Sequence, residues 1–299
     1  MKEINVITHA GLFHADEVLC TAMLKKIYHV NVRRVFQVPE EIDENTIVYD
    51  IGGGQFDHHT EENKRNNGFH EGTQIPYASC GLVWDHFYKE ILLAKGCAED
   101  AVEDAKEKVD QDLILGIDAA DNGVFSMEGS ALTVSGIVRL ANPAWNDNVS
   151  TDEAFHKAVD LAGEILELVL HQAIAQAAAK KIVEKAIDDA RDGIMVFDRY
   201  TSWHTAFFLS ANPKTAKIDF LIYPSLRGGY NVQAVPVSLT DRTSRLPFPE
   251  AWRGKTPEEL QAMTSIAGLT FCHNSGFLCA CKTLDDAYQI VSLTRKVTA

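Results

Sequence analysis

Residues 3–8, EINVIT, alternate apolar and polar positions as a half-buried strand does, and ADEVLCTAMLKKIY then sets Val18, Leu19, Ala22, Met23 and Ile27 on one helical face. The chain therefore opens as strand, loop and helix. VRRVF and TIVYDI predict further strands, SCGLVWDHFYKEILLAKG a helix capped by Ser79, and AEDAVEDAKEKVDQDLILGI an acidic amphipathic helix. Strands alternating with helices imply a parallel sheet, whose ligand crevice lies outside the carboxyl ends of its strands. His9, Asp50 and Asp118 each follow an apolar run at such an end, so the pattern already gathers polar residues there.

From Ser150 to Asp192 the spacing changes to one long helical period, opened by the capping box Ser150-x-x-Glu153 and carrying Phe155, Ala158, Val159, Ala162, Ile165, Leu166, Val169, Leu170, Ala173, Ile174 and Ala177 before Gly193. IMVFD, FFLSA, KIDFLIYP and GYNVQAVPVSL follow and predict a fresh set of strands. The expected architecture is α/β in two domains. A parallel-sheet domain at 1–150 is joined by a linker helix at 151–192 to a smaller α/β domain at 193–299.

A length of 299 residues gives each domain enough chain for its own core, and no internal repeat competes with the division. No window approaches the ~20 apolar residues that cross a bilayer, and the start, MKEINVITHAG, lacks the pattern of a secretory leader. Six cysteines without a CxxC pair read as buried, reduced thiols, and the chain is expected to be cytoplasmic, with no membrane partner. A formal charge of −14 excludes a protein that coats nucleic acid non-specifically. The charge is nevertheless segregated, because residues 225–255 carry +3 and the remainder −17.

Six of the eleven histidines lie between positions 9 and 70, interleaved with aspartates in THAGLFHADE, VYDIGGG and FDHHTEE, with GIDAADNG further on. Imidazole mixed with carboxylate suits a divalent transition ion, Mn²⁺ first, with Zn²⁺ or Fe²⁺ as alternatives, whereas a purely oxygen-lined site would favour Mg²⁺, which is kept as a further alternative. Two such ions sharing a carboxylate could activate water for phosphoryl transfer. Asp118 and Asp121 are three residues apart, so in a helical turn both could reach one centre; Asp121 is favoured, with Asp118 behind it or in its place. Gly52-Gly53-Gly54 reads as a tight turn, not a phosphate cradle, and Cys272, His273, Cys279 and Cys281 match no common zinc spacing. His29, His86, His156, His171 and His204 receive no role. Arg242, Arg245 and Arg253, near Pro247, Pro249 and Trp252, read as a structured loop offering guanidinium groups and an aromatic face to a phosphodiester.

The motifs together resemble the DHH phosphoesterase superfamily and, within it, the MYG1 family (UPF0160), described as metal-dependent hydrolases or exonucleases. The resemblance runs over nearly the whole chain: His9-x4-His14-x-Asp16-Glu17, Asp50-Ile51-Gly52-Gly53, Asp57-His58-His59, Tyr77-Ala78-Ser79-x-Gly81-Leu82-Val83-Trp84 and Asp121-Asn122-Gly123, then Val232-Gln233-Ala234-Val235-Pro236, Trp252-Arg253-Gly254 and Phe271-x-His273-x-x-Gly276-Phe277. It implies His9, His14, Asp16, His58 and Asp121 as metal ligands and Asp50 as a bridging carboxylate. It also implies His59 facing the phosphate and His273 on the substrate side. Broader DHH enzymes carry Asp-x-Asp where this chain has His14-x-Asp16, and a glycine-rich motif where it has CHNSGFLCAC.

The expectation is a two-metal phosphodiester hydrolase, an exonuclease acting on RNA or short oligonucleotides, with the second domain gripping substrate and a homo-oligomer allowed. A manganese-dependent phosphoanhydride hydrolase acting on a small phosphorylated molecule is the first alternative. A metal-binding regulatory protein without turnover is the second.

Overall fold

The computed structural model describes residues 1–124 and 133–298. They form two compact units, Met1–Ala177 and Ala178–Ala299.

In the first unit, β1 (Lys2–His9) is followed by α1 (Ala15–Leu24), β2 (Tyr28–Val35) and β3 (Thr46–Val48), and the strands make a parallel sheet in the order β2-β1-β3. β1 is central, so Ile4, Val6 and Ile7 are buried. Its register pairs His9 with Val35 and Ile7 with Val48, which brings the carboxyl ends of β1 and β3 together. Every residue of α1 is buried, including Asp16 and Glu17. An all-round buried helix is ordinarily apolar, so two enclosed carboxylates in its first turn mark a site and not a surface.

The unit continues with α2 (Glu61–Asn67), α3 (Ser79–Ala94), α4 (Val102–Val109), a π-helical turn at Asp110–Ile114, α5 (Leu115–Asp121), α6 (Val134–Leu140) and α7 (Thr151–Asp189). The single acidic helix expected over 98–117 is thus several pieces. The π turn inserts before α5 and resets the face on which Asp118 and Asp121 emerge. Ser79 is the first residue inside α3, not its cap; Ala78 holds the cap position.

The 39-residue α7 begins where Ser150 Oγ accepts from the Glu153 amide. Phe155 to Ala177 pack into the first core, whereas Val183, Ala186 and Ile187 belong to a cluster of the second unit. The second unit has β4 (Ile194–Val196), α8 (His204–Leu209), β5 (Phe220–Pro224), β6 (Tyr230–Ala234), α9 (Pro257–Thr264), β7 (Leu269–Cys272), β8 (Leu278–Cys281) and α10 (Leu284–Thr298). Its five-stranded sheet runs β4-β5-β6-β8-β7, with β4 parallel to β5 and the remaining pairs antiparallel. FFLSA, expected as a strand, lies largely in α8. A short apolar run carries no decisive period, and here Trp203 and Phe207 bury one helical face, their rings 5.6 Å apart.

All six cysteines are buried and free of disulfides. Among the described residues no helix is long and apolar enough to cross a membrane.

Candidate metal centre

His9 is the last residue of β1 and leads into a loop whose turn needs Gly11 at φ 92°. The loop delivers His14 to the start of α1, where the His14 amide donates to both carboxylate oxygens of Glu17 at 3.0 and 3.1 Å. Asp16 and Glu17 sit in the first helical turn, where the backbone dipole favours negative charge. Glu17 also lies 2.9 Å from His9 Nε2, so one carboxylate both caps the helix and faces the strand-end imidazole.

Asp50 emerges two residues after β3 with φ 58°, a left-handed conformation that aspartate tolerates better than most residues. Its carboxylate turns two ways: Oδ2 is 3.3 Å from His9 Nε2, while Oδ1 accepts from Ser79 Oγ at 3.1 Å and lies 3.7 and 3.6 Å from Nδ1 of His58 and His59. The next turn uses Gly52, where a β-carbon would stand 2.8 Å from Val38 Cγ2.

In the Asp-His-His run the aspartate organises the histidines. Asp57 accepts from the Gly53 amide at 2.6 Å, from the His59 amide at 3.0 Å and from His59 Nδ1 at 2.7 Å. Burial opposes its ionisation, but the His59 ring and these amides hold the carboxyl well below the usual range. The same hydrogen bond, donated by the His59 ring to Asp57, raises the pKa of His59 against burial; its side chain is 57% exposed. His58 is buried between Asp16 and Asp50 on its Nδ1 side, at 3.6 and 3.7 Å, and Asp121 Oδ2 at 3.0 Å from Nε2.

The amino terminus of α3 closes the floor. Backbone amides of Ser79 and Cys80 donate to Asp16 at 3.1 and 2.5 Å, and the Gly81 amide donates to Asp118 at 3.0 Å. Asp118 is fully enclosed, with its other oxygen 2.7 Å from His70 Nε2. Asp121, one helical turn on, keeps 18% exposure and reaches His58. Burial, then the charges of Asp50, Asp121 and Asp118, push the Asp16 carboxyl well above its usual value. Burial also opposes protonation of His9, yet Asp50 and Glu17 raise its pKa to about 10.

Such crowding of carboxylates is the chemistry of a cation site. His9, His14 and Glu17 form one group, Asp50, Asp57, His58 and His59 a second, and Asp16, His58 and Asp121 a third, each with donor atoms within 4.8 Å of one another. Ligands about 2.0–2.6 Å from an ion stand at such mutual distances, and the mixed imidazole–carboxylate set fits a divalent transition metal. All six residues expected as ligands, His9, His14, Asp16, Asp50, His58 and Asp121, are thus brought together with His59. Sequence reasoning gave no role at this site to Glu17, Ser79 or His70. An Asp-Glu pair opening a helix was the one signal available for Glu17; Ser79 and His70 act through partners 21 to 63 positions away.

The residues expected to grip substrate lie in the second unit and differ among themselves. Arg245 donates through Nη1 to the carbonyls of Thr215 and Ile218 at 2.6 and 3.0 Å. Arg253 donates through Nε and Nη2 to the Phe248 carbonyl at 3.0 and 2.9 Å. Arg242 is exposed and makes no hydrogen bond or ion pair among the described residues. His273 is fixed by Ser275, Nδ1 to Oγ 2.8 Å. Trp252, expected to offer an aromatic face, is instead only 4% exposed: it packs with Phe248, Leu260 and Ile266 in the core, where apolar burial outweighs display.

A family model described as "Uncharacterised protein family (UPF0160)", MYG1_exonuc, matches residues 5–294. A MYG1 protein of Schizosaccharomyces pombe is 32% identical, with 96% of each chain covered. A protein of Mus musculus named MYG1 exonuclease is 30% identical over 96% of this chain and 83% of its own, and a MYG1 protein of Dictyostelium discoideum is 28% identical over 96% and 95%. No solved structure matches.

Proposed function

The chain belongs to the MYG1 family, UPF0160, and from that membership we propose that it is a metal-dependent phosphodiester hydrolase, an exonuclease on RNA or short oligonucleotides that works with two divalent ions, Mn²⁺ by preference. The name of the mouse relative supports exonuclease chemistry. The observation that carries the two-ion reading is Asp50, whose oxygens face different donor groups, Oδ2 toward His9 and Oδ1 toward His58 and His59.

In this reading His9 and His14 with Asp50 would hold one ion, and Asp16, His58 and Asp121 with Asp50 the other. When bound, the ions supply Lewis acidity, lowering the pKa of water and offsetting phosphoryl charge. The chain's own groups do the rest. His9 Nδ1 lies 3.2 Å from the Ala10 carbonyl, which fixes the ring and presents Nε2 to the site. Asp57 likewise anchors His59 through Nδ1 and leaves Nε2–H free for a phosphoryl oxygen, where a protonated imidazole strengthens as negative charge develops. Arg242 stands foremost among the basic residues for phosphate contact, since Arg245 and Arg253 are engaged with carbonyls.

The test is parallel assay of Mn²⁺-loaded protein on short RNA, short DNA, pyrophosphate and a cyclic dinucleotide, with product termini identified. Mononucleotide release from RNA or DNA that EDTA stops supports the reading. Turnover of pyrophosphate alone replaces it with the phosphoanhydride alternative.

A further inference from the structure

Around the loop that joins His9 to His14 in the first unit, three large apolar side chains stand in solvent: Leu12, Phe36 and Trp145. Single exposures of that kind are ordinary on a protein surface, whereas several gathered at one place mark a contact site. Leu12 belongs to the loop itself, where it and His14 face outward with Phe13 buried between them. The apolar group therefore lies on the open side of the candidate metal centre.

Phe36 is 86% exposed. The Ala10 amide donates to the Val35 carbonyl at 2.8 Å, and a β-carbon on Gly11 would stand 3.6 Å from Phe36 Cε1, so the ring edge lies against the loop. Two residues further on, Val38 meets the Gly52 turn that follows Asp50. The 35–38 segment thus reaches both loops that supply His9, His14 and Asp50. Trp145 is 97% exposed and comes from another segment, which Asn142 fastens to the same loop. Asn142 Oδ1 accepts from the Phe13 amide at 2.9 Å, and its Nδ2 donates to the Phe13 carbonyl at 2.8 Å. A turn then carries the indole outward, closed by the Asp147 amide on the Ala144 carbonyl at 3.0 Å and the Ala144 amide on Asp147 Oδ2 at 2.8 Å. A flat ring on a backbone fixed in advance loses little freedom when a ligand covers it.

Charge decides what covers these rings. Arg139, three residues before Asn142, is exposed, and its side chain makes no hydrogen bond or ion pair among the described residues. Exposed aromatic rings with an unpaired guanidinium match a single strand of nucleic acid, whose bases stack on such rings and whose phosphates take the cation. A second copy docked here across a two-fold axis would instead bring two Arg139 side chains into one interface, like charge against like. We propose that Phe36 and Trp145 form a stacking platform for the bases of a single strand entering the metal centre, with Arg139 on its phosphates. The choice of nucleic acid rests on the phosphodiesterase reading above. It deepens that reading by giving the strand a grip outside the metal ligands.

Trp145 reports its own occupancy, because the other three tryptophans, Trp84, Trp203 and Trp252, are buried. The test is acrylamide quenching of the full-length, Mn²⁺-loaded protein with and without a short, hydrolysis-resistant phosphorothioate oligoribonucleotide, alongside affinity for that strand and for an abasic strand of equal length and charge. The base-bearing strand should shield the quenchable tryptophan and bind at least about fivefold more tightly than the abasic one. Phe36→Ala and Trp145→Ala, both at exposed positions, should each weaken the base-bearing strand about 5- to 100-fold and leave the abasic strand unchanged, a split that a merely structural role would not produce. Arg139→Ala should weaken both strands and reduce the salt slope of binding by roughly 0.7. An unshielded Trp145, equal affinity for the two strands, or parent-like binding by either aromatic variant overturns the proposal. Shielding that follows protein concentration without any strand also overturns it and makes the face an interface between copies. Strand binding on this face without turnover of ordinary RNA or DNA would remove the phosphodiesterase reading alone, and turnover with an unshielded Trp145 would remove only the platform.

Discussion

Gly81 and Asp118 are in such close register that a β-carbon on Gly81 would stand 2.0 Å from Asp118 Oδ2, while the Gly81 amide donates to Oδ1 at 3.0 Å. The contact docks the start of α3 onto α5 beneath the candidate metal centre. Gly81→Ala should therefore destabilise the protein by about 2 kcal/mol or more, since overpacking commonly costs about 1–3 kcal/mol and a displaced Asp118 also loses hydrogen bonds. Gly116→Ala is the control: among the described residues nothing outside its own helical turn lies within 4 Å of its β-carbon position, and in α5 alanine should be neutral or gain about 0.5–1 kcal/mol. Urea unfolding of both variants, metal-free, checks the pair; equal stability would show that Gly81 is not tight.

Asp50→Ala should remove turnover more completely than His59→Ala. The first loses the carboxylate that, among the described residues, faces both His9 and the His58–His59 pair, whereas the second loses one phosphoryl contact worth about 2–4 kcal/mol of transition-state stabilisation, a fall in kcat of roughly 30- to 1,000-fold. Steady-state kinetics with metal content measured on each variant decides it. Equal, mild losses would mean that the roles are wrongly assigned.

Much of the first unit was legible because its signals are local. The alternation in EINVIT fixes a strand, and His9, His14 and Asp16 follow within one loop and helical turn. Asp57 could be seen beside His58 and His59, but that its carboxylate anchors the His59 ring could not. The Asp16 contacts with Ser79 and Cys80 span 63 and 64 positions, and no periodicity encodes them. Trp252 misled for the converse reason: an aromatic beside arginines has the same sequence pattern whether it is displayed or buried. FFLSA was too short for its period to separate strand from helix.

Asp16 sets a pH signature for the metal-free protein. Its folded pKa is raised above the unfolded one by burial and then by Asp50, Asp121 and Asp118, so ionisation costs stability. The cost is absent below the ordinary carboxylate pKa and complete above the raised value. Asp16→Asn loses one acceptor for the Ser79 and Cys80 amides, a constant offset, but it removes this titration. The stability of the asparagine variant relative to wild type should therefore fall as pH is lowered from neutral toward about 4. Urea midpoints across that range in EDTA measure it. Mn²⁺ should reverse the ranking at neutral pH, raising the melting temperature of the wild type and doing so far less for the variant.

Arg242 and Arg245 should part company. Arg242→Ala should raise KM for an oligonucleotide and reduce the salt slope of binding by roughly 0.7 for a single strand, with little change in stability. Arg245→Ala should instead lower the melting temperature, because its guanidinium satisfies the Thr215 and Ile218 carbonyls and lies 5.5 Å from the Phe207 ring centroid. Filter binding at several salt concentrations and thermal unfolding separate the two effects. Identical behaviour of both variants in both assays would place neither arginine as described.

The central claim is tested most directly by following an end-labelled oligoribonucleotide with the Mn²⁺-loaded protein and resolving products at single-nucleotide resolution. The account predicts progressive shortening from one end with mononucleotide release, stopped by EDTA and absent in Asp50→Asn. Internal cuts, equal cleavage by the Asp50 variant, or an intact strand beside rapid pyrophosphate hydrolysis would contradict it.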